Sequence, residues 1–317
     1  IQIYGEPRLA FLVGSGNIDS MVNNYTASKR PRRTDEYSPG GKSGFRPDRA
    51  LSVYVDMVKK SYPNTPVVIG GIEASLRRFA HYDYWSDIIM PSILVDTQAD
   101  MLLYGMSETQ IKTLAHGLAK GWPIHKIKDI PGTCYMSRSL PKGNKYTLIS
   151  SFEEVSTEKI KFAEAFQIQS REQNPFIGST LVQKHGDLYL VQLPPAKPLS
   201  QSEMDELYRL PFTRTYHPRY KNAGGVPALQ EVEFSVTDHR GCFGGCSFCA
   251  ISFHQGRIIQ NRSETSVLDE IRLMTHQPGF KGYIHDIGGP TANFRNIACK
   301  KQLTSGACKE KQCLDPI

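Results

Sequence analysis

Two kinds of patterning divide the chain. Toward the N-terminus, short unbroken apolar runs end in glycine: residues 7–14 (Pro-Arg-Leu-Ala-Phe-Leu-Val-Gly), 66–71 (Pro-Val-Val-Ile-Gly-Gly) and 99–105 (Ala-Asp-Met-Leu-Leu-Tyr-Gly). Runs of this length bounded by turn residues predict parallel strands buried on both faces. Residues 51–58 (Leu-Ser-Val-Tyr-Val-Asp-Met-Val) predict a helix between the first two runs, and Thr109 to Leu118 predict another, ended near Gly121. Alternating strands and helices imply an α/β, doubly wound, Rossmann-like domain over residues 1–135.

Residues 136–230 are less regular and read as a connecting region. Ser156 to Gln169 carries helical spacing in Ile160, Phe162, Ala163, Ala165 and Phe166, and a strand follows the His185-Gly186 turn. Pro194-Pro195-Ala-Lys-Pro198 is a stiff extended connector, and Ser202 to Leu210 suits a short helix. From residue 231 the pattern changes again. Glu231-Val-Glu-Phe-Ser-Val-Thr237 alternates like a strand, and Ser263 can cap a helix reaching about Thr275. Val267, Leu268, Ile271 and Met274 are expected along one face of it, and Gly282 to Ile287 reads as a second strand, ended by Gly288-Gly289-Pro290. That order makes one βαβ unit, with parallel strands and a right-handed crossover. The loops that follow its strands then share one rim.

The first of those loops carries the chemistry. Cys242-Phe-Gly-Gly-Cys246-Ser-Phe-Cys249 places three of the seven cysteines at C-x3-C-x2-C spacing. Thiolates ligate iron–sulfur clusters, and a cubane takes four ligands, so three leave one iron open to a small molecule. Closed zinc sites are normally filled by paired Cys or His motifs from separate places. Gly244 and Gly245 let the backbone wrap closely and reach positive φ. A second group, Cys299, Cys308 and Cys313, lies among Lys300, Lys301, Lys309 and Lys311. It reads as a second iron–sulfur or zinc site whose fourth ligand follows Ile317, or else as reduced loop thiols. Cys134 stands alone and reads as an inert thiol.

Taken together, the loop with Phe248 before its last Cys and a Gly-Gly turn one βα unit later resembles the radical S-adenosylmethionine superfamily. The resemblance narrows with Gly14-Ser-Gly-Asn-Ile-Asp-Ser-Met21, Gly70-Gly-Ile-Glu-Ala-Ser-Leu-Arg-Arg78, His81-Tyr-Asp-Tyr-Trp85 and Gly256-Arg-Ile-Ile-Gln260. With Arg240-Gly241 before the loop and Gly288-Gly-Pro-Thr-Ala-Asn293 after it, nearly the whole chain is similar to the YgiQ-type group. That likeness implies a [4Fe–4S] cluster on Cys242, Cys246 and Cys249, with S-adenosylmethionine on the open iron. It implies Phe248 near the adenine and the Gly288 and Gly289 backbone at the ligand's amino group. Pro290 stands where the superfamily often has an acidic residue, which leaves the role to the backbone. The chain would then join a Rossmann-like domain to the first part of a partial TIM-like barrel over residues 231–317. Such a barrel needs further βα units, so a fragment is expected. The first domain resembles the later half of cobalamin-binding domains, but the ligating histidine motif would precede Ile1, and cobalamin is not inferred.

Composition adds limits. Lys and Arg number 38 against 31 Asp and Glu, a net charge of +7. Lys29-Arg-Pro-Arg-Arg33 is a basic run, which permits a nucleic-acid partner but fits a solvated surface better. No apolar run is long enough to span a membrane and no signal peptide is visible, so a cytoplasmic location is expected. A one-electron reductant such as flavodoxin or ferredoxin is the expected partner. The alternatives are an RNA-modifying, methylthiotransferase-like enzyme, or a non-catalytic iron–sulfur or zinc carrier or binding protein. His81-Tyr-Asp-Tyr-Trp85 reads equally as a substrate-facing cluster or an aromatic seal, and Arg77 and Arg78 are expected to pair with Glu73. His217-Pro-Arg-Tyr220 lies just ahead of the barrel. No residue is singled out as catalytic, and no substrate follows.

Overall fold

A computed structural model describes residues 1–143, 145–289, 292–308 and 313. The chain divides into two compact units, each assembled from two stretches: 1–22 with 47–197, and 23–46 with 198–317.

The first unit is built on one seven-stranded sheet. Its spatial order is Phe11–Val13, Val67–Ile69, Met101–Leu103, Thr133–Ser137, Leu188–Gln192, Thr180–His185 and Tyr146–Ile149. The first three strands are parallel, as the apolar runs predict, and the remainder make the sheet mixed. Side chains alternate across a strand, and the core follows that rule. Val67, Ile69 and Leu102 face one cluster with Leu51, Val55 and Val58 of the helix Ala50–Ser61. Val68, Met101 and Leu103 face the opposite cluster with Leu114 of the helix Glu108–Ala119. Helices thus cover both faces of the parallel part.

The expected connector is where the reading needs correcting. Four of the seven strands lie within 133–192, so residues 136–197 complete the sheet and belong to the first unit rather than lead away from it. The segment 23–46, expected inside the Rossmann-like domain, belongs to the second unit, where Gly40 N–H donates to Gly225 O at 2.8 Å.

The second unit contains the βαβ element. Ser235–Thr237 pairs in parallel with Asp286–Gly288, and the helix Glu264–Thr275 connects them. Ser263 caps that helix as read, its hydroxyl accepting from Ser266 N–H at 3.1 Å. Val267 and Met274 pack on Val236, with Ile271 partly buried beside them, whereas Leu268 is 41 % exposed and lies off that face. The first strand is shorter than expected, because Leu229–Val232 forms a helical turn instead. An antiparallel pair, His239–Arg240 with Gln260–Asn261, brackets the cysteine loop. Glu270 clamps the helix by pairing with both Arg214 and Arg262, while Arg262 donates to Thr237 O at 2.9 Å and stacks 4.3 Å from the Tyr208 ring.

Candidate functional site

The parallel register sets Thr237 opposite Gly288, so both strands end at the same level. The chain leaving Thr237 makes the short strand His239–Arg240 and enters the cysteine loop. The chain leaving Gly288 enters the Gly-Gly turn. Asp238 N–H donates to Gly288 O at 3.0 Å and ties the two exits together.

The loop is closed by backbone contacts. Cys242 N–H donates to Gly256 O and Cys249 N–H to Cys246 O, both at 3.1 Å. Gly241 has φ +89°, and a Cβ there would fall 2.1 Å from Ile258 O, so only glycine fits. Gly245 takes positive φ (+60°) as expected, but Gly244 does not; its missing side chain serves space instead. A Cβ on Gly244 would stand 3.4 Å from Cys242 Sγ and 3.7 Å from Cys246 Sγ, so two sulfurs converge on one bare stretch of backbone. Phe243 turns inward and stacks on Phe294 (4.3 Å, 16°), while Phe248 is 90 % exposed.

Among the described residues no group of three or more His, Cys, Asp or Glu side chains is close enough to hold one metal ion. A cubane puts each thiolate on a different iron and asks for wider spacing than one ion does. Cys299, Cys308 and Cys313 are among the described residues and form no single-ion site. Cys313 and Cys308 pack instead in the apolar cluster that holds Phe243, and Cys313 Sγ accepts from Gln302 Nε2 at 3.3 Å. Arg257 links this segment to the loop, donating to Cys308 O at 2.7 Å and to Phe243 O at 3.5 Å. Lys309, Lys311 and Pro290 lie outside the described residues.

The Gly-Gly turn has less free space than its composition suggests. A Cβ on Gly288 would fall 2.3 Å from Asn293 Oδ1, and one on Gly289 would fall 2.3 Å from His239 Nε2. Gly289 N–H donates to Asn293 Oδ1 at 3.3 Å. His239 was not singled out in the sequence; its position three residues ahead of Cys242 was the available signal.

The blocks Gly14–Met21, Gly70–Arg78 and His81–Trp85 converge elsewhere, within the first unit. The Glu73 carboxylate accepts from Ser20 N–H at 3.0 Å and Leu51 N–H at 3.1 Å, and Arg77 reaches Glu73 at its main-chain carbonyl (3.4 Å). Arg77 pairs with Asp19, and the buried Arg78 donates to Gln192 Oε1 at 2.5 Å and lies over the Tyr104 ring. Arg49, Ser52, Glu73, Arg77, His81 and Asp96 line a cleft. Burial draws the His81 pKa down to about 4, with its Nδ1 at 3.1 Å from Phe79 O. Cys134 is fully buried and its thiol is pushed up to about 12 by that burial, which makes it inert as expected. His217-Pro-Arg-Tyr220 is the start of a short 3₁₀ segment, Pro218–Ala223, with no buried residue.

A family model described as radical SAM N-terminal matches residues 1–235. The chain belongs to that family. The YgiQ-type resemblance holds at the family level, since the chain is 58 % identical over 312 residues to a UPF0313 protein of Clostridium botulinum. It is 55 % identical over 313 residues to a UPF0313 protein of Clostridium perfringens. Each match covers 98 % of this chain, which spans about half the length of these relatives (49 % and 47 %). Among solved structures, a radical S-adenosylmethionine methyltransferase, TsrM, from Kitasatospora setae aligns at TM-score 0.45 and 16 % identity, over 91 % of this chain and 38 % of that one. The matched span of this radical SAM N-terminal member stops before the cysteine loop. Among its described residues no helix is long and apolar enough to cross a membrane.

Proposed function

We propose that this chain holds a [4Fe–4S] cluster on Cys242, Cys246 and Cys249, binds S-adenosylmethionine beside it, and serves a radical S-adenosylmethionine enzyme. The observation that carries the reading is the convergence of Cys242 and Cys246 on Gly244, on a loop level with the Gly288 end of the paired parallel strand. A cluster held there would supply one electron for reductive cleavage of the sulfonium of S-adenosylmethionine.

The chain's own residues do the holding and orienting. Gly241 and Gly245 permit the tight loop, and Gly244 leaves its inner side bare for the thiolates. Phe243, stacked on Phe294 in the apolar cluster, keeps water from one side of the loop. The exposed Phe248 offers a ring face to a planar base. Gly288 and Gly289 present backbone to the amino-acid end of the ligand. The reductant is expected to be a small one-electron carrier of the flavodoxin or ferredoxin class.

The test is anaerobic reconstitution with iron and sulfide, followed by dithionite and S-adenosylmethionine, with 5′-deoxyadenosine assayed. Cys242→Ala is expected to lose the brown cluster absorbance and the cleavage together. Full cleavage by that variant would reject the assignment.

A further inference from the structure

We infer that the second unit carries a docking face for single-stranded RNA, built from the hairpin of residues 24–33 and the 3₁₀ turns Pro39–Gly41 and Pro218–Ala223. The inference stands apart from the cluster reading, because binding there needs neither iron nor S-adenosylmethionine.

Charge is the first observation. Residues 25–46 and 216–225 together hold eight Lys and Arg against two acids, a balance of +6 in a chain whose net charge is +7. Of the acids, Asp35 is buried and paired with Arg46 at 3.6 Å, which leaves Glu36 alone against the rest. Taken alone, the basic run at Lys29–Arg33 suits a solvated surface; the fold gives it neighbours. Tyr25 bridges Pro31, Thr26 N–H donates to Arg30 O at 2.9 Å and Arg32 N–H to Asn24 O at 2.8 Å. Lys29, Arg30, Arg32 and Arg33 thus stand exposed on a tight hairpin. Thr34 bridges Lys42, and Gly40 N–H donates to Gly225 O at 2.8 Å. A Cβ on Gly40 would fall 2.6 Å from Ala223 O, so the two turns touch, and the second brings in the exposed Arg219 and Lys221. Among the described residues Arg30, Arg33, Lys42, Arg219 and Lys221 have no ion pair. Like charges gathered in this way repel one another, and a polyanion that docks on them gains by releasing its own counterions.

The rings are the second observation. Tyr37 and Phe45, which flank Lys42 in the sequence, are 38 % and 66 % exposed. His217 meets Tyr220 edge-on at 6.2 Å, and the Arg219 guanidinium lies 5.6 Å from the Tyr220 ring. Cations interleaved with exposed rings suit a strand whose phosphates meet the charges and whose unstacked bases meet the ring faces. Single-stranded RNA offers both. A duplex keeps its bases stacked, and an acidic protein has no bases to offer.

Fluorescence anisotropy tests this, with a labelled single-stranded RNA of about 15 nucleotides and the intact protein in about 50 to 200 mM salt. Arg30→Ala/Arg33→Ala removes two cations without breaking an ion pair. RNA affinity is expected to fall about 10- to 30-fold, and the slope of log affinity on log salt to flatten by about 1.4. Tyr37→Ser and Phe45→Ser should each weaken binding about fivefold or more with the slope unchanged, since stacking on a base releases no counterion. Circular dichroism checks the fold of each variant, and Arg219→Ala/Lys221→Ala repeats the charge test on the other segment if the hairpin variant does not fold. Wild-type affinity weaker than about 0.1 mM at the lower salt would overturn the inference. So would charge variants that bind like wild type, or duplex RNA bound as tightly as the single strand. Displacement of the RNA by polyglutamate at matched charge, with both ring variants silent, would overturn it in favour of an acidic protein partner. None of these outcomes bears on the cluster assay.

Discussion

His185 shows how a single residue can be a histidine with no chemistry to do. It is buried, stacked on Phe152 at 5.5 Å, and neither ring nitrogen has a hydrogen-bond partner among the described residues. Burial lowers its pKa from 6.5 to about 4, against the opposing pull of Glu153. Between those values the unfolded chain takes up a proton that the folded chain refuses. Its contribution to stability is therefore complete above about pH 6.5 and is lost as pH falls toward 4, with a slope of at most about 1.4 kcal/mol per pH unit. His185→Phe keeps the stack and removes both orphaned nitrogens. Thermal unfolding should show stability at pH 7 equal to or above wild type, and a shallower decline between pH 6.5 and 4.5. An unchanged decline would place the acid sensitivity elsewhere. The sequence showed His185 only as a turn residue; its burial depends on the strand Thr180–His185 packing against Phe152, a contact made across more than thirty residues. The cysteines were legible at this same scale because their spacing is itself the signal. The role of Gly241 was not, since it depends on the close approach of Ile258 O, which no local spacing reveals.

At the scale of elements, the helix Glu264–Thr275 is the best-read piece of the second unit, since its cap and its apolar spacing are both local. What holds it down is not local. Arg262 is almost wholly buried and shares Glu270 with Arg214. Removing one partner of such a group leaves a charge without compensation, which costs about 3–5 kcal/mol where burial is complete. Glu270→Gln should therefore destabilise the protein by roughly 3 kcal/mol in urea unfolding. Less than about 1 kcal/mol would mean that the two arginines find water instead. The strand expected from Glu231 illustrates the opposite case. Alternation over a few residues does not separate a strand from a helical turn, and the helical turn takes Leu229–Val232, leaving Ser235–Thr237 as strand. The expected helix over Ser156 to Gln169 likewise divides into Phe152–Thr157, capped by Ser151, and Lys159–Arg171.

For the molecule as a whole, the sheet joins segments that the linear pattern separated. Met101–Leu103 is followed in space by Thr133–Ser137, whose other neighbour is Leu188–Gln192. A polypeptide of residues 1–135 would lose that neighbour and the apolar positions Leu181, Val182, Leu190 and Val191, all fully buried. It is expected to lack a cooperative thermal transition by circular dichroism, whereas residues 1–197 should show one. Cooperative unfolding of the shorter piece would restore a boundary near 135. The sequence by itself determined the α/β class, the parallel strands of the first unit, the helix cap at Ser263 and the three-cysteine loop, because each is written in neighbouring residues through turn chemistry, side-chain period or ligand spacing. Only the tertiary structure decided that residues 136–197 complete the sheet, that the Glu73 carboxylate takes backbone N–H groups, that Cys308 and Cys313 pack in an apolar cluster with Phe243, and that His239 faces Gly289. The physical reason is the same in each case: pairing, burial and close approach between distant segments depend on which surfaces meet, and no local pattern carries that information.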